Sequence, residues 1–169
     1  MAAADICLSL RAICSGDSLG SLRIIMCIWS LSVYPADEQR VLFAETFGCC
    51  RFVYNWALNL KITAYKERKE TLGNVYLTNL MKSEPKAEHE WLSEISSQSL
   101  QSALRNPDTA FFRNTHAVGF PRFKSRKDRQ SFLCPQHWRV DFSKSTITIP
   151  KAKDIPAVPR IKSDLNLDK

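Results

Sequence analysis

Between Leu42 and Ala64, the residues Leu42, Thr46, Cys49, Val53, Trp56, Leu60 and Ala64 recur at steps of three and four. That spacing specifies one apolar helix face and is the clearest structural signal in the chain. Gly48 falls inside it. Glycine in a helix interior costs about 1 kcal/mol relative to alanine, so the sequence predicts two helices or a bend there. On the second piece, roughly residues 49–70, Arg51, Asn55 and Asn59 lie at i, i+4 spacing and form a polar stripe beside the apolar one.

The flanks read less sharply. Residues 1–30 show no sustained periodicity, and Ser15-Gly16-Asp17-Ser18 reads as a turn. The apolar run Ile24–Val33 reads as a buried strand; as a helix, its ten residues would span about 15 Å, half a bilayer core. Leu31–Pro35 leads into a helix start, where Pro35, Asp37 and Glu38 suit a first turn. After Gly73-Asn74 a short helix is expected over 76–82, and another from Lys86 with Trp91, Leu92 and Ile95 buried. A third, over 96–114, places Leu100, Ala103, Leu104 and Phe111 inward, with Pro107 expected to kink or break it. Beyond Gly119 the pattern turns toward alternation. Strands are expected over 131–134, 138–142 and 146–149, with a hairpin turn at Asp141–Lys144, and Pro150, Pro156 and Pro159 confine the tail to edge strands or extended connections.

A chain of 169 residues with 44% hydrophobic and 24% charged content can bury a core, so wholesale disorder is not expected. The formal net charge of +7 points to polyanionic partners, nucleic acid before an anionic membrane surface. Of that excess, +4 lies in Gly119–Arg129, where Arg122, Lys124, Arg126, Lys127 and Arg129 face one acid, Asp128. Phe120 and Phe123 interleave these cations, offering stacking faces beside phosphate-neutralising charge. The same segment also fits a solvated basic loop.

None of the six cysteines forms a C-x-x-C pair, and the three histidines lack ligand spacing, so neither metal nor cofactor is expected. The thiols are expected to be reduced, in a cytoplasmic protein. Asp5 precedes any Lys or Arg, which argues against a secretory signal, and no membrane association is expected.

Taken in order, Tyr34-Pro35 with Gln39, then Phe47-Gly48-Cys49-Cys50-Arg51-Phe52-Val53-Tyr54-Asn55, Trp91-Leu92, Gln98–Leu104 and Gly119-Phe120-Pro121-Arg122-Phe123-Lys124 are similar to one family's motifs. The chain resembles, over roughly 34–161, the N-terminal part of the OrfB or TnpB proteins of bacterial insertion sequences, relatives of the type V CRISPR nucleases. The resemblance implies an α+β fold: a helix-turn-helix-like recognition lobe followed by short strands of a partial, wedge-like β-barrel. It divides the chain into a divergent segment (1–33), a helical lobe (34–117), a basic loop with strands (118–162) and a truncated tail (163–169). The partners implied are DNA and a guide-type RNA. In such proteins cleavage comes from a later RuvC-like domain using three acids and magnesium, with a zinc ribbon, and the chain is expected to stop short of both. Two departures stand out. Residues 1–33 replace the family's short basic-aromatic strand, suggesting a shifted frame or wrong start, and Pro107 falls where the family keeps an unbroken helix.

The expected nucleic-acid-binding residues are Arg51, Asn55, Gln101, Arg122, Lys124, Arg126, Lys127 and Arg129. Arg51 and Asn55 suit phosphates and base edges, or equally hydrogen bonds between helices; Tyr54 and Trp56 suit a core. The resemblance places Gln101 toward the target-adjacent motif, where its amide can pair with adenine. The five loop cations are expected to contact phosphates, setting affinity more than sequence choice. No catalytic residue is expected, because Glu45, Glu67, Glu88, Glu94 and Asp141 do not form a metal-holding set and no P-loop or nucleophile elbow is present. The leading reading is a truncated TnpB-like nucleic-acid-binding protein with no enzymatic activity of its own. The alternatives are a dimeric helix-turn-helix regulator with half-sites about one DNA turn apart, and a fragment of an intact nuclease. Oligomeric state and stable folding of the fragment stay open.

Overall fold

The structure, a computed structural model, describes residues 10–14, 22–25, 30–114, 121–128 and 130–160, with side chains described over 31–107, 121–128 and 130–158. The expected turn at Ser15–Ser18 and the inward placement of Phe111 lie outside them. Three strands come first: β1 (Leu10–Cys14), β2 (Leu22–Ile25) and β3 (Ser30–Val33). Among the described residues four helices follow: α1 (Asp37–Arg68), α2 (Asn74–Ser83), α3 (Pro85–Glu88) and α4 (Ser97–Asn114), with a 3-10 turn at Glu90–Leu92. The strands β4 (Ser131–Cys134), β5 (Arg139–Asp141), β6 (Thr146–Ile149) and β7 (Ala152–Arg160) complete an α+β fold. Among the described residues the strands run in the order β4-β1-β2-β3-β7-β6-β5, each neighbour antiparallel.

The run expected as one strand over 24–33 contains parts of two, β2 and β3, paired with Ile24 opposite Leu31. A continuous apolar run has the same composition whether it is one buried strand or two adjacent ones, so periodicity alone cannot divide it. β1 had no sequence signal at all.

The tail corrects the proline reading. β7 holds Pro156 and Pro159 yet lies inside the strand order. Its first half pairs with β6 (Thr146 opposite Pro156, Ile147 opposite Ile155) and its second half with β3 (Val33 opposite Ala157, Leu31 opposite Pro159). The two ladders meet at the proline: the Tyr34 N–H donates to the Pro156 carbonyl at 2.9 Å, and the next residue, Ala157, donates its N–H to the Ser145 carbonyl at 2.8 Å.

Helix α1 runs unbroken through Gly48 for 32 residues. Its packing supplies more than the local cost of one glycine. Gln39 fixes its start: Oε1 accepts from the Ala36 N–H at 3.0 Å, while Nε2 donates to the Lys153 carbonyl on β7 at 2.9 Å. Asp37 and Glu38 complement the positive end of the dipole, and Lys66 and Arg68 the negative end. The helix stops at Lys69, whose φ of 57° is left-handed, with the Lys69 and Glu70 amides donating back to Tyr65 and Ala64. Lys61, itself buried, reaches across the turn to the Leu72 carbonyl, and α2 begins after Gly73. Helix, turn and helix thus follow one another over 37–83.

Of the expected α1 face, Thr46, Cys49, Val53 and Ala64 are buried, while Leu42, Trp56 and Leu60 are only partly so. Phe43, Phe47, Cys50, Ala57 and Leu58 complete the buried side. Phe132 of β4 packs between Phe43 and Phe47, with ring centroids 5.9 and 5.3 Å away, joining sheet to helix. Leu92 and Ile95 are buried as expected, but Trp91 is 41% exposed. The expected helix from Lys86 ends at Glu88 and is followed by the 3-10 turn Glu90–Leu92, so helical spacing does not apply to Trp91, which packs edge-on to Phe52 and stacked on His89. Helix α4 continues through Pro107. The proline removes one backbone donor, whereas Leu100 and Leu104, both fully buried, hold the preceding turns in the core.

Candidate nucleic-acid interface

The basic segment is docked on α1 by its backbone. Asn55 donates from Nδ2 to the Lys124 carbonyl at 2.9 Å and accepts at Oδ1 from the Lys124 N–H at 2.8 Å, pairing with the chain as a neighbouring strand would. One turn earlier, Arg51 donates from Nη1 to Gln130 Oε1 at 2.8 Å. The Gln130 amide is then shared among the carbonyls of Ser125, Arg126 and Asp128, at 3.0, 3.2 and 2.6 Å. Asp128 accepts from the Ser125 N–H, and Ser125 Oγ accepts from the Lys127 N–H at 3.2 Å. The backbone bond from Ser125, then its hydroxyl, then the charge of Lys124 hold the Asp128 carboxyl below its ordinary 3.8.

The i, i+4 polar stripe thus serves as a docking rail for the loop. Of the two roles open for Arg51 and Asn55, both side chains make hydrogen bonds within the protein, to the basic segment rather than to another helix. Lys124 is held by its side chain as well as its backbone. Its Nζ lies 4.3 Å from the ring centroid of Tyr54, a cation–π contact on a phenol that is 6% exposed, and burial raises the Tyr54 pKa. Four interactions therefore converge under the loop, and its outer side is left to the exposed Arg122, Arg126 and Lys127, with Phe123 53% exposed among them. Arg129 and Phe120 lie outside the residues whose side chains are described.

Gln101 is partly buried on α4. A turn before it, Gln98 donates to Gln136 Oε1 at 2.8 Å. A cleft of about 370 Å³ lies on the Arg51 side of α1, lined by Glu45, Gly48, Cys49, Arg51, Trp91 and Glu94. The exposed Trp91 is braced there by His89 and Phe52, each with its ring centroid 5.2 Å away.

Sequence reasoning missed Gln130, Ser125 and Asp128. Only Asp128 three residues after Ser125 hinted at a local turn, and nothing in the pattern tied Gln130 to Arg51 across 79 positions.

Among the described residues no group of three or more His, Cys, Asp and Glu could hold a metal ion. Cys49, Cys50 and Cys134 are buried, and burial pushes their thiols up to about 11, 12 and 11. They are neutral thiols at physiological pH. No described helix is long and apolar enough to cross a membrane.

A family model for the helix-turn-helix domain of OrfB proteins matches residues 31–70, which are β3, α1 and the start of the following turn. A candidate RNA-guided DNA endonuclease of Streptomyces pristinaespiralis is 43% identical over 100 residues, 56% of this chain and 24% of that protein. The candidate RNA-guided DNA endonuclease InsQ of Escherichia coli (strain K12) is 33% identical over 126 residues, 69% of this chain and 30% of InsQ. The virulence protein VsdF of Salmonella dublin is 31% identical over 105 residues, 56% of this chain and 88% of VsdF. The chain spans less than a third of the length of the first two relatives. With the helix-turn-helix match and these relatives together, the chain belongs to the OrfB/TnpB family, of which it holds an N-terminal part.

Proposed function

We propose that this chain binds nucleic acid through the loop of residues 121–130, as the binding portion of a TnpB-like, RNA-guided transposon protein. The observation that supports it is the docked loop: its backbone is fastened to α1 while Arg122, Arg126 and Lys127 stay exposed around Phe123. Cations on a fixed backbone neutralise successive phosphates, and an exposed ring offers a stacking face to an unpaired base. On this reading the partners are a DNA duplex and a guide-type RNA, and the protein works in the cytoplasm. Gln101 on α4 supplies motif preference. The strands act as the partial, wedge-like barrel of the family, with β7 passing from one strand group to the other. Strand cleavage is assigned to none of the described residues, and the protein acts by binding.

Salt titration of binding tests the proposal. Each neutralised phosphate contributes about −0.9 to the log–log slope of duplex affinity against salt, so the three described outward cations give roughly −3. A slope near zero rejects the mechanism. Magnesium-dependent cleavage of DNA by the purified chain would reject the assignment of binding without catalysis.

A further inference from the structure

We infer that Asn55 and Gln130 are positioning residues for nucleic-acid binding: they touch no phosphate themselves and set the path of the loop that presents the cations. The inference rests on the binding reading above and adds how affinity is generated. Asn55 holds both backbone groups of Lys124, at 2.8 and 2.9 Å, which fixes the loop at its entry. Gln130 fixes its exit: its carbonyl oxygen is held by Arg51 at 2.8 Å and its amide gathers three carbonyls of the turn. At the first of these points the Lys124 side chain also lies over the Tyr54 ring. Arg122, Arg126 and Lys127 are exposed and long. A free loop of such residues must lose backbone and side-chain freedom on binding, whereas this loop has already lost its backbone share on folding.

The physical consequence separates two quantities that a direct contact would change together. Removing a phosphate-contacting cation lowers affinity and makes the salt slope shallower, because one fewer counterion is released. Removing a neutral clamp lowers affinity through ordering entropy while the same cations still reach the same phosphates. Asn55 and Gln130 carry no charge, so removing either leaves the number of released counterions, and hence the slope, unchanged.

The test uses the full 169-residue chain with a fluorescein-labelled DNA duplex and a labelled single-stranded RNA, measured by anisotropy across a salt series. Asn55→Ala and Gln130→Ala should each weaken binding about tenfold at fixed salt, with the slope unchanged. Arg126→Ala with Lys127→Ala should instead flatten the slope by about 2. Hydrogen exchange should show the Lys124 amide opening faster in Asn55→Ala while amides of the α1 core stay protected, which separates positioning from unfolding. If Asn55→Ala does not fold, Gln130→Ala, which lies in a surface loop, keeps the test intact. Wild type that binds while both variants bind equally well overturns this inference alone. Loss of slope in the neutral variants, equal to loss of a cation, overturns it as well. Wild type that binds neither probe refutes the binding reading, and this inference with it.

Discussion

Replacing Gly48 by alanine should stabilise the protein. Gly48 sits in the interior of α1, where glycine is disfavoured by about 0.8–1.0 kcal/mol relative to alanine because of the backbone freedom it loses. A Cβ built there meets no atom within 4 Å, so no packing penalty opposes the gain. For a chain of this length the unfolding entropy converts about 1 kcal/mol into a rise in Tm of about 2–4 °C. Gly73 is the internal control. It has equal room for a Cβ but is the N-cap of α2, where alanine is a poorer cap than glycine, so Gly73→Ala should destabilise by about 0.5–1 kcal/mol. Thermal unfolding followed by far-ultraviolet circular dichroism reads both. Two substitutions of the same chemistry should therefore move Tm in opposite directions. A fall in Tm for Gly48→Ala would show that α1 needs glycine at that position, and would refute the argument that packing alone carries the helix through it.

Three further outcomes are expected. Lys124→Gln should leave the salt slope of binding unchanged, because Nζ lies on the Tyr54 ring, whereas Lys127→Gln should flatten it by about 0.9. Asp128 has a folded-state pKa below 3.8, so its contribution to the loop is present at neutral pH and is lost as pH falls through that depressed value. An NMR titration of the Ser125 amide should therefore show a midpoint under 3.8, and a midpoint above it would contradict the hydrogen-bonded geometry. Cys49, Cys50 and Cys134 have pKa values raised from 9.0, so the stability of burying them as neutral thiols is fully present below about pH 9 and is lost as pH rises from there through about 11–12. Near neutral pH, peptide mapping after alkylation should find these three modified only once the protein is unfolded.

The helical half was largely legible because its signals are local. Helix α2 extends a few residues beyond the expected 76–82, β4 and β6 coincide with their expected ranges, and the Asp141–Lys144 turn is present, with Asp141 accepting from the Ser143 hydroxyl at 2.6 Å and the Lys144 amide at 3.2 Å. Misreadings clustered where a local rule met tertiary packing. Gly48 and Pro107 each weaken a helix on their own, yet both lie in helices whose buried faces are held by Phe47, Val53, Leu100 and Leu104. Trp91 was expected on the buried side of a helix from Lys86, but that helix ends at Glu88 and Trp91 is 41% exposed.

From the sequence alone came the order of elements over the helical segment, the concentration of positive charge in one short stretch, and the family, since each depends on residues near one another along the chain. The tertiary structure decided which of those charges face outward. Asn55 meets Lys124 across 69 positions and Arg51 meets Gln130 across 79, and no periodicity reports contacts of that separation. It also placed strands from both ends of the chain in one pairing order, because backbone hydrogen bonds between strands are satisfied by position in space and leave almost no mark on side-chain choice.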